Sequence, residues 1–188
     1  MVNILIVGVG GQGTLLASRV LGNYAVMRGL DCKLSEVHGM SQRGGSVVTH
    51  VRIGEKVLSP IVNVGDADII IAFEKLEAYR WRHFLKKDGI MVVNNQEIMP
   101  MPVIIGAMSY PQNIIEKMNE EGTKTLVVDA GKLALECGNI KVANTIMIGA
   151  LAKNIGFSLE DITEAVRNTV PKKLLDVNLV AIEKGYNA

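Results

Sequence analysis

Close to its start the chain runs through a short apolar stretch, Val2 to Val7, directly into Gly8-Val9-Gly10-Gly11-Gln12-Gly13, and few folds accommodate that sequence. An apolar run that stops at glycine reads as a buried parallel strand. The hexapeptide matches G-x-G-x-x-G, and beyond it Leu15, Leu16, Val20, Leu21 and Tyr24 recur at helical spacing from about Gly13 to Arg28, with Gly29 as the stop. A strand, a glycine turn and a helix in that order let backbone N–H groups approach a phosphate at the helix N-terminus. The fold expected is α/β, a doubly wound, Rossmann-like and mostly parallel sheet.

The rest of the chain extends that pattern. Lys33 to Val37 reads as a second strand. In Ser46 to Gly54, Val47, Thr49, Val51 and Ile53 face one way and Val48, His50 and Arg52 the other. Lys56 to Leu58 is expected as its hairpin partner, turned at Ile53-Gly54-Glu55, which makes a β-hairpin excursion in the parallel sheet. Further strands are expected at Asp68–Phe73, Ile90–Asn94 and Thr125–Val128, and helices at Glu74–Leu85 and Pro111–Glu121. A proline-rich loop leads to Val103-Ile104-Ile105. From Ala130 onward a helical C-terminal portion is expected, with periodic segments at 131–137, 142–155, 159–169 and 172–185. Ser158, three residues before Asp161, caps the third of these. With 188 residues and neither repeat nor linker, residues 1–188 read as a single domain.

Composition narrows the function classes. Twenty Lys and Arg against nineteen Asp and Glu leave a net charge of +1, so no strong positive field exists to hold nucleic acid. Two cysteines, Cys32 and Cys137, are too few for a disulfide framework or for an iron–sulfur cluster held by this chain alone, and they suit a reducing cytoplasm. Met1-Val2-Asn3 offers no basic targeting segment. Ile98 to Ile115 is long and charge-free, but Pro100, Pro102 and Pro111 argue against a membrane span.

Two polar loops are the candidate site. The first is the glycine loop, with Gly8, Gly10, Gly11, Gln12 and Gly13. Glu36, 23 residues past Gly13, falls near where a ribose-binding acid would sit. The glycines serve equally well for packing alone or for contact with a partner's backbone. The second loop follows the second strand and carries Ser41, Gln42, Arg43, Gly44 and Gly45. Arg43 offers a fork for phosphate or carboxylate, and Gly44-Gly45 permits close approach; an ion pair between Arg43 and Glu36 is the plainer alternative. If the first two strands are adjacent and parallel, both loops share one sheet edge. Of eight aromatics, Phe73, Tyr79, Trp81 and Phe84 crowd residues 73–84 with Arg80 and Arg82 between them. Phe73, Leu76 and Phe84 are expected on one helix face, serving an interface or core packing. No catalytic triad, metal-ligand spacing or thiamine diphosphate motif occurs, and His38, His50 and His83 are too scattered to ligate one ion.

Taken as a set, Gly8–Gly13 with Thr14-Leu15-Leu16-Ala17-Ser18, and Ser35-Glu36-Val37-His38-Gly39-Met40-Ser41-Gln42-Arg43-Gly44-Gly45-Ser46, resemble the small subunits of indolepyruvate:ferredoxin oxidoreductases, a gamma-type domain of the 2-oxoacid:ferredoxin oxidoreductases. The resemblance continues through Val51-Arg52-Ile53-Gly54, Gly65-Asp66-Ala67-Asp68, Phe73-Glu74, Val93-Asn94, Asn144 and Gly149-Ala150-Leu151. It implies a non-catalytic subunit of a complex that oxidatively decarboxylates aryl 2-oxoacids, with coenzyme A as acyl acceptor and ferredoxin as electron acceptor. Thiamine diphosphate, Mg and Fe–S clusters are then expected on a larger alpha subunit, and none on this chain. The resemblance puts Gly10–Gly13, Ser41, Gln42 and Arg43 at the junction of the two, against ligand or partner. Isolated, such a subunit can self-associate through the same surface. The competing readings are a stand-alone NAD(P)-binding reductase and a nucleotide-sensing module. The methionine- and proline-rich run Ile98–Pro102 has no assigned role beyond packing or partner contact.

Overall fold

The computed structural model describes residues 1–36 and 44–188. In chain order the elements are β1 (Val2–Val9), α1 (Thr14–Met27), β2 (Asp31–Glu36), β3 (Ser46–Gly54), β4 (Ala67–Ala72), α2 (Lys75–Trp81), β5 (Leu85–Asn94), α3 (Met101–Ile104), α4 (Ile114–Glu120), β6 (Thr125–Val128), α5 (Ala130–Glu136), α6 (Ala143–Asn154), α7 (Leu159–Arg167) and α8 (Leu175–Tyr186). The strands form one sheet in the order β2-β3-β1-β4-β5-β6. β1, β4, β5 and β6 run parallel, while β3 lies antiparallel between β1 and β2.

Strand alternation sorts the core into two layers. Ile4, Ile6, Ile69, Ile71 and Val92 point to the face covered by α1 and α5–α8. Leu5, Val7, Ile70, Met91 and Val93 point to the face covered by α2 and α4. Strands buried on both sides must be apolar at every position, which is why Ile4–Val7 and Ile69–Ala72 read as unbroken apolar runs. The α/β class, mostly parallel with a helical C-terminal third, is therefore as expected. Ser158 Oγ accepts the Asp161 amide at 3.1 Å, the cap anticipated for α7.

The antiparallel element differs from expectation. Lys56–Leu58 forms no strand, because β3 is already paired on one edge by β1 and on the other by β2, leaving it no free ladder groups. Instead the Val57 amide donates to Asp31 Oδ2 at 2.9 Å, folding the segment back beside the start of β2. The helix expected over Glu74–Leu85 is shorter: α2 ends at Trp81, one 3-10 turn covers Arg82–Phe84, and β5 already begins at Leu85. Glu74 is the residue before α2, and its Oε2 accepts the Glu77 amide at 2.9 Å. Phe73 is buried with the α1 face of the core, while Leu76 and Phe84 pack on the α2 face. They do not share a side, because Phe73 lies in the bend directly after β4 and does not begin the helix. Arg82 lies over the Tyr79 ring at 3.8 Å and pairs with Glu121 at 2.7 Å, so it braces α2 against α4. Val103 and Ile104 lie within the short helix α3 and Ile105 is its C-cap; the helix starts just after Pro100 with Pro102 in its first turn, where proline is tolerated. Among the described residues no helix is long and apolar enough to cross a membrane.

Candidate functional site

The carboxyl ends of β1, β4 and β5 and the N-termini of α1, α5 and α6 converge on one edge of the sheet, the place where open α/β sheets hold ligands. At its centre the glycine loop turns from β1 into α1. Gly11 and Gly13 take φ of +100° and +85°, a region in which a side chain is strained. Gly13 also meets α6 closely: a Cβ there would lie 2.3 Å from Asn144 Nδ2. Gly8 is buried, and its Cβ would lie 2.9 Å from Gln12 Oε1 and 3.1 Å from Phe73 Cβ, so it is a packing position. Gly11 faces open space.

Gln12 holds the loop to three strands. Its Oε1 accepts the Val9 amide at 2.7 Å, and its Nε2 donates to the Phe73 carbonyl at 2.9 Å and to Gln96 Oε1 at 3.1 Å. Both amide hydrogens are engaged, which makes its geometry that of a clasp across the ends of β1, β4 and β5. Asn94 repeats the device, donating to the Phe73 carbonyl at 3.2 Å and to Gln96 Oε1 at 3.0 Å while its Oδ1 accepts the Ala130 amide at 3.2 Å.

A cavity of about 600 Å³ opens beside the loop, lined in part by Gly11, Gly13, Asn95, Gln96, Lys141 and Asn144. Lys141 and Asn144 also border a second hollow of about 470 Å³ that reaches Leu16, Lys173 and Asn178. On the other side of the loop, Gly10, Gly11, Gly13, Val47 and Thr49 enclose about 270 Å³. α1 and α6 both open without a side-chain cap, and neither carries an acid in its first turn. The first N–H groups of α1 have no side-chain acceptor, and the helix dipole adds partial positive charge there, whereas at α6 the Ala143 amide already donates to the Ile140 carbonyl and the Thr145 amide to Asn144 Oδ1 at 2.8 Å. With Lys141 the rim favours anionic oxygens. Asn95, Gln96, Lys141 and Lys173 escape a motif search. The available signal was Val93 closing on Asn-Asn-Gln at a strand's carboxyl end.

Of the second loop, Ser41, Gln42 and Arg43 lie outside the described residues. Gly44 and Gly45 do sit beside the glycine loop, with the Gly10 amide donating to the Gly45 carbonyl at 2.8 Å. The reason is not the one expected. β1 and β2 are not neighbours; β3 runs antiparallel to β1 with Val9 opposite Ser46, and this brings its start to the loop. The same insertion moves β2 to about two strand spacings from β1, roughly 10 Å, where a Rossmann sheet has one. Glu36 on β2 accepts a hydrogen bond from the Ser18 hydroxyl on α1 and lines neither cavity beside the loop. It is displaced from the ribose position that its sequence spacing indicated. Among the described residues no group of His, Cys, Asp and Glu could hold a metal ion.

Comparison with known proteins accords with this architecture. The family model for pyruvate ferredoxin/flavodoxin oxidoreductase matches residues 3–188. The chain is 46% identical to an indolepyruvate oxidoreductase subunit of Thermococcus kodakarensis, over 99% of this chain and 95% of that one. It is 27% identical to the common gamma subunit of the pyruvate/ketoisovalerate oxidoreductases of Pyrococcus furiosus, over 99% and 96%. Among solved structures it is similar to a pyruvate oxidoreductase subunit from Thermotoga maritima, with a TM-score of 0.75 and 25% identity over 99% of this chain and 95% of that chain. The family model and the relative at 46% identity each span nearly the whole chain, and the chain belongs to the pyruvate ferredoxin/flavodoxin oxidoreductase family.

Proposed function

We propose that the chain is the small, non-catalytic subunit of an indolepyruvate:ferredoxin oxidoreductase, a single domain over residues 1–188 working in the cytoplasm. The complex oxidatively decarboxylates aryl 2-oxoacids to acyl-CoA, with ferredoxin as electron acceptor. A larger partner holds thiamine diphosphate, Mg²⁺ and iron–sulfur clusters, and this chain alone has no activity. The observation that carries this reading is the 46% identity, along nearly the full length, to an indolepyruvate oxidoreductase subunit, against 27% to a gamma subunit of the pyruvate type.

In this reading the glycine-loop edge receives the phosphate-bearing part of coenzyme A where the two subunits meet. Gly11 and Gly13 give backbone access beside Gly10, whose own amide is bonded to the Gly45 carbonyl, Lys141 and the opening of α1 supply positive potential, and Lys173 borders the adjoining hollow. Two hollows joined at Lys141 and Asn144 suit an elongated ligand carrying anionic groups at intervals. Gln12 is the positioning residue of this arrangement, and Ser41, Gln42, Arg43, Gly44 and Gly45 complete the wall toward the partner.

The test is co-expression with the large subunit, then an anaerobic assay of coenzyme A-dependent indolepyruvate oxidation by the pair and by each chain alone. Activity in the pair only is expected. Absence of a complex, with saturable NADH binding by the isolated chain, would instead establish the stand-alone nucleotide-binding reading.

A further inference from the structure

No Lys, Arg, Asp or Glu occurs from Ile98 to Ile115. Within that stretch Met99, Met101, Ile104, Ile105 and Met108 are between 42% and 69% exposed, and no residue of α3 is buried. A run so apolar, facing water, is expected to collapse onto the body of the protein unless something holds it out. Here it is held. The carboxylate of Glu74, itself 1% exposed, accepts from the Ile98 amide at 3.1 Å and from the Tyr110 hydroxyl, both on Oε1. Ile98 and Tyr110, which bracket the exposed part of the run, are thus tied to a single buried oxygen. Burial and that same bond push the Tyr110 phenol above its ordinary value, so it stays a donor at any physiological pH. On the N-terminal side the segment continues from Gln96, which is bonded to Gln12 of the glycine loop.

We infer that residues 98–110 form a preset docking arm, and that its occupant is an apolar groove on the larger subunit of the same oxidoreductase complex. Area decides between this occupant and a second copy of the chain. Five such side chains present a patch of a few hundred Å², the size at which exposed apolar surface marks an interaction site. A standard stable interface buries about 800 Å² on each partner, so the arm is too small to hold a dimer alone. It fits instead as the charge-depleted centre of a wider contact whose polar rim is the neighbouring glycine-loop edge. Methionine suits the purpose because its thioether adapts to an irregular facing surface. The inference rests on the subunit reading above, but not on what the glycine loop binds.

In the test, tagged large subunit is co-purified with wild-type chain or with Ile104→Asp/Ile105→Asp. The double variant is expected to reduce recovery of the small subunit at least tenfold while leaving the melting temperature of the isolated chain unchanged. Recovery equal to wild type overturns the inference. Failure of the wild-type chain itself to co-purify overturns instead the subunit reading. Should the double variant not fold, a photo-crosslinking residue at position 105 in the assembled complex decides. An adduct with the large subunit is expected; an adduct only with a second copy, or none, overturns the docking arm.

Discussion

The two sides of the sheet are built to different rules. From β1 through β4 to β5 the strands are parallel, and Ile4–Val7, Ile69–Ile71 and Met91–Val93 are fully buried between two helical layers. On the other side β3 and β2 run as an antiparallel pair, and β2 is half open to solvent, with Lys33 and Leu34 exposed. The parallel side is a rigid platform whose carboxyl edge carries the glycine loop, Asn94 and Gln96. The antiparallel side delivers Gly44 and Gly45 to that edge and moves Glu36 away from it. One inserted strand therefore separates this site from a dinucleotide fold while leaving the glycine signature untouched.

The contrast is sharpest in stability. Ile71→Ala empties a fully buried position on the parallel side and is expected to cost about 3 kcal/mol, whereas Leu34→Ala on β2 costs under about 1 kcal/mol. Urea unfolding of both variants checks this, and equal losses would mean that β2 is as deeply embedded as β4. Gln12→Ala leaves the Val9 amide without its side-chain acceptor and removes one of the two side-chain donors on the Phe73 carbonyl, which keeps Asn94, and is expected to cost about 2 kcal/mol in the same assay. If Gln12 contacted only ligand, stability would hold and affinity alone would fall.

At the rim, Lys141→Ala is expected to raise the KM for coenzyme A in the assembled complex about tenfold, ~1.4 kcal/mol, with little change in kcat. A fall in kcat at constant KM would place Lys141 in assembly or chemistry and not in binding. The smallest effect lies on the antiparallel side. Burial holds the His50 imidazole below its ordinary value, and its Nδ1 accepts the Val62 amide at 3.2 Å, which requires that nitrogen unprotonated. The unfolded chain therefore takes up a proton before the folded one does. This contribution is complete above the ordinary histidine range and is lost as pH falls through it. Melting temperature followed across that range should show a small acid-side decline that His50→Gln removes.

Much of this was legible in the residues. The glycine turn, the unbroken apolar strands and the Ser158 cap are local patterns whose physics needs only near neighbours, and each recurs in the structure. The alternation of Ser46–Gly54 was equally plain, but it could not say which strand would pair with it. Lys56–Leu58 was the nearest candidate along the chain, and β1 and β2 took both edges. Glu36 stood at the correct count from Gly13, but counting assumed that β1 and β2 are neighbours. Glu74 resembled any first-turn acid. Its role as anchor appears only when Ile98 and Tyr110 fold back onto it. Lys141 and Lys173 belong to no motif, and they line one hollow because separate segments of the C-terminal portion pack there.

The sequence by itself determined the fold class, the strand–glycine loop–helix unit and the family, because periodicity and turn chemistry are set by residues a few positions apart and the long motif set is specific. The tertiary structure alone decided which strands pair, that Gln12 is a clasp, where Glu36 ends up, and that Ile98 and Tyr110 of the charge-free segment are tied to one buried carboxylate. Those outcomes depend on contacts between residues dozens of positions apart, whose free energies are settled only when every strand edge and buried polar group competes for a partner at once.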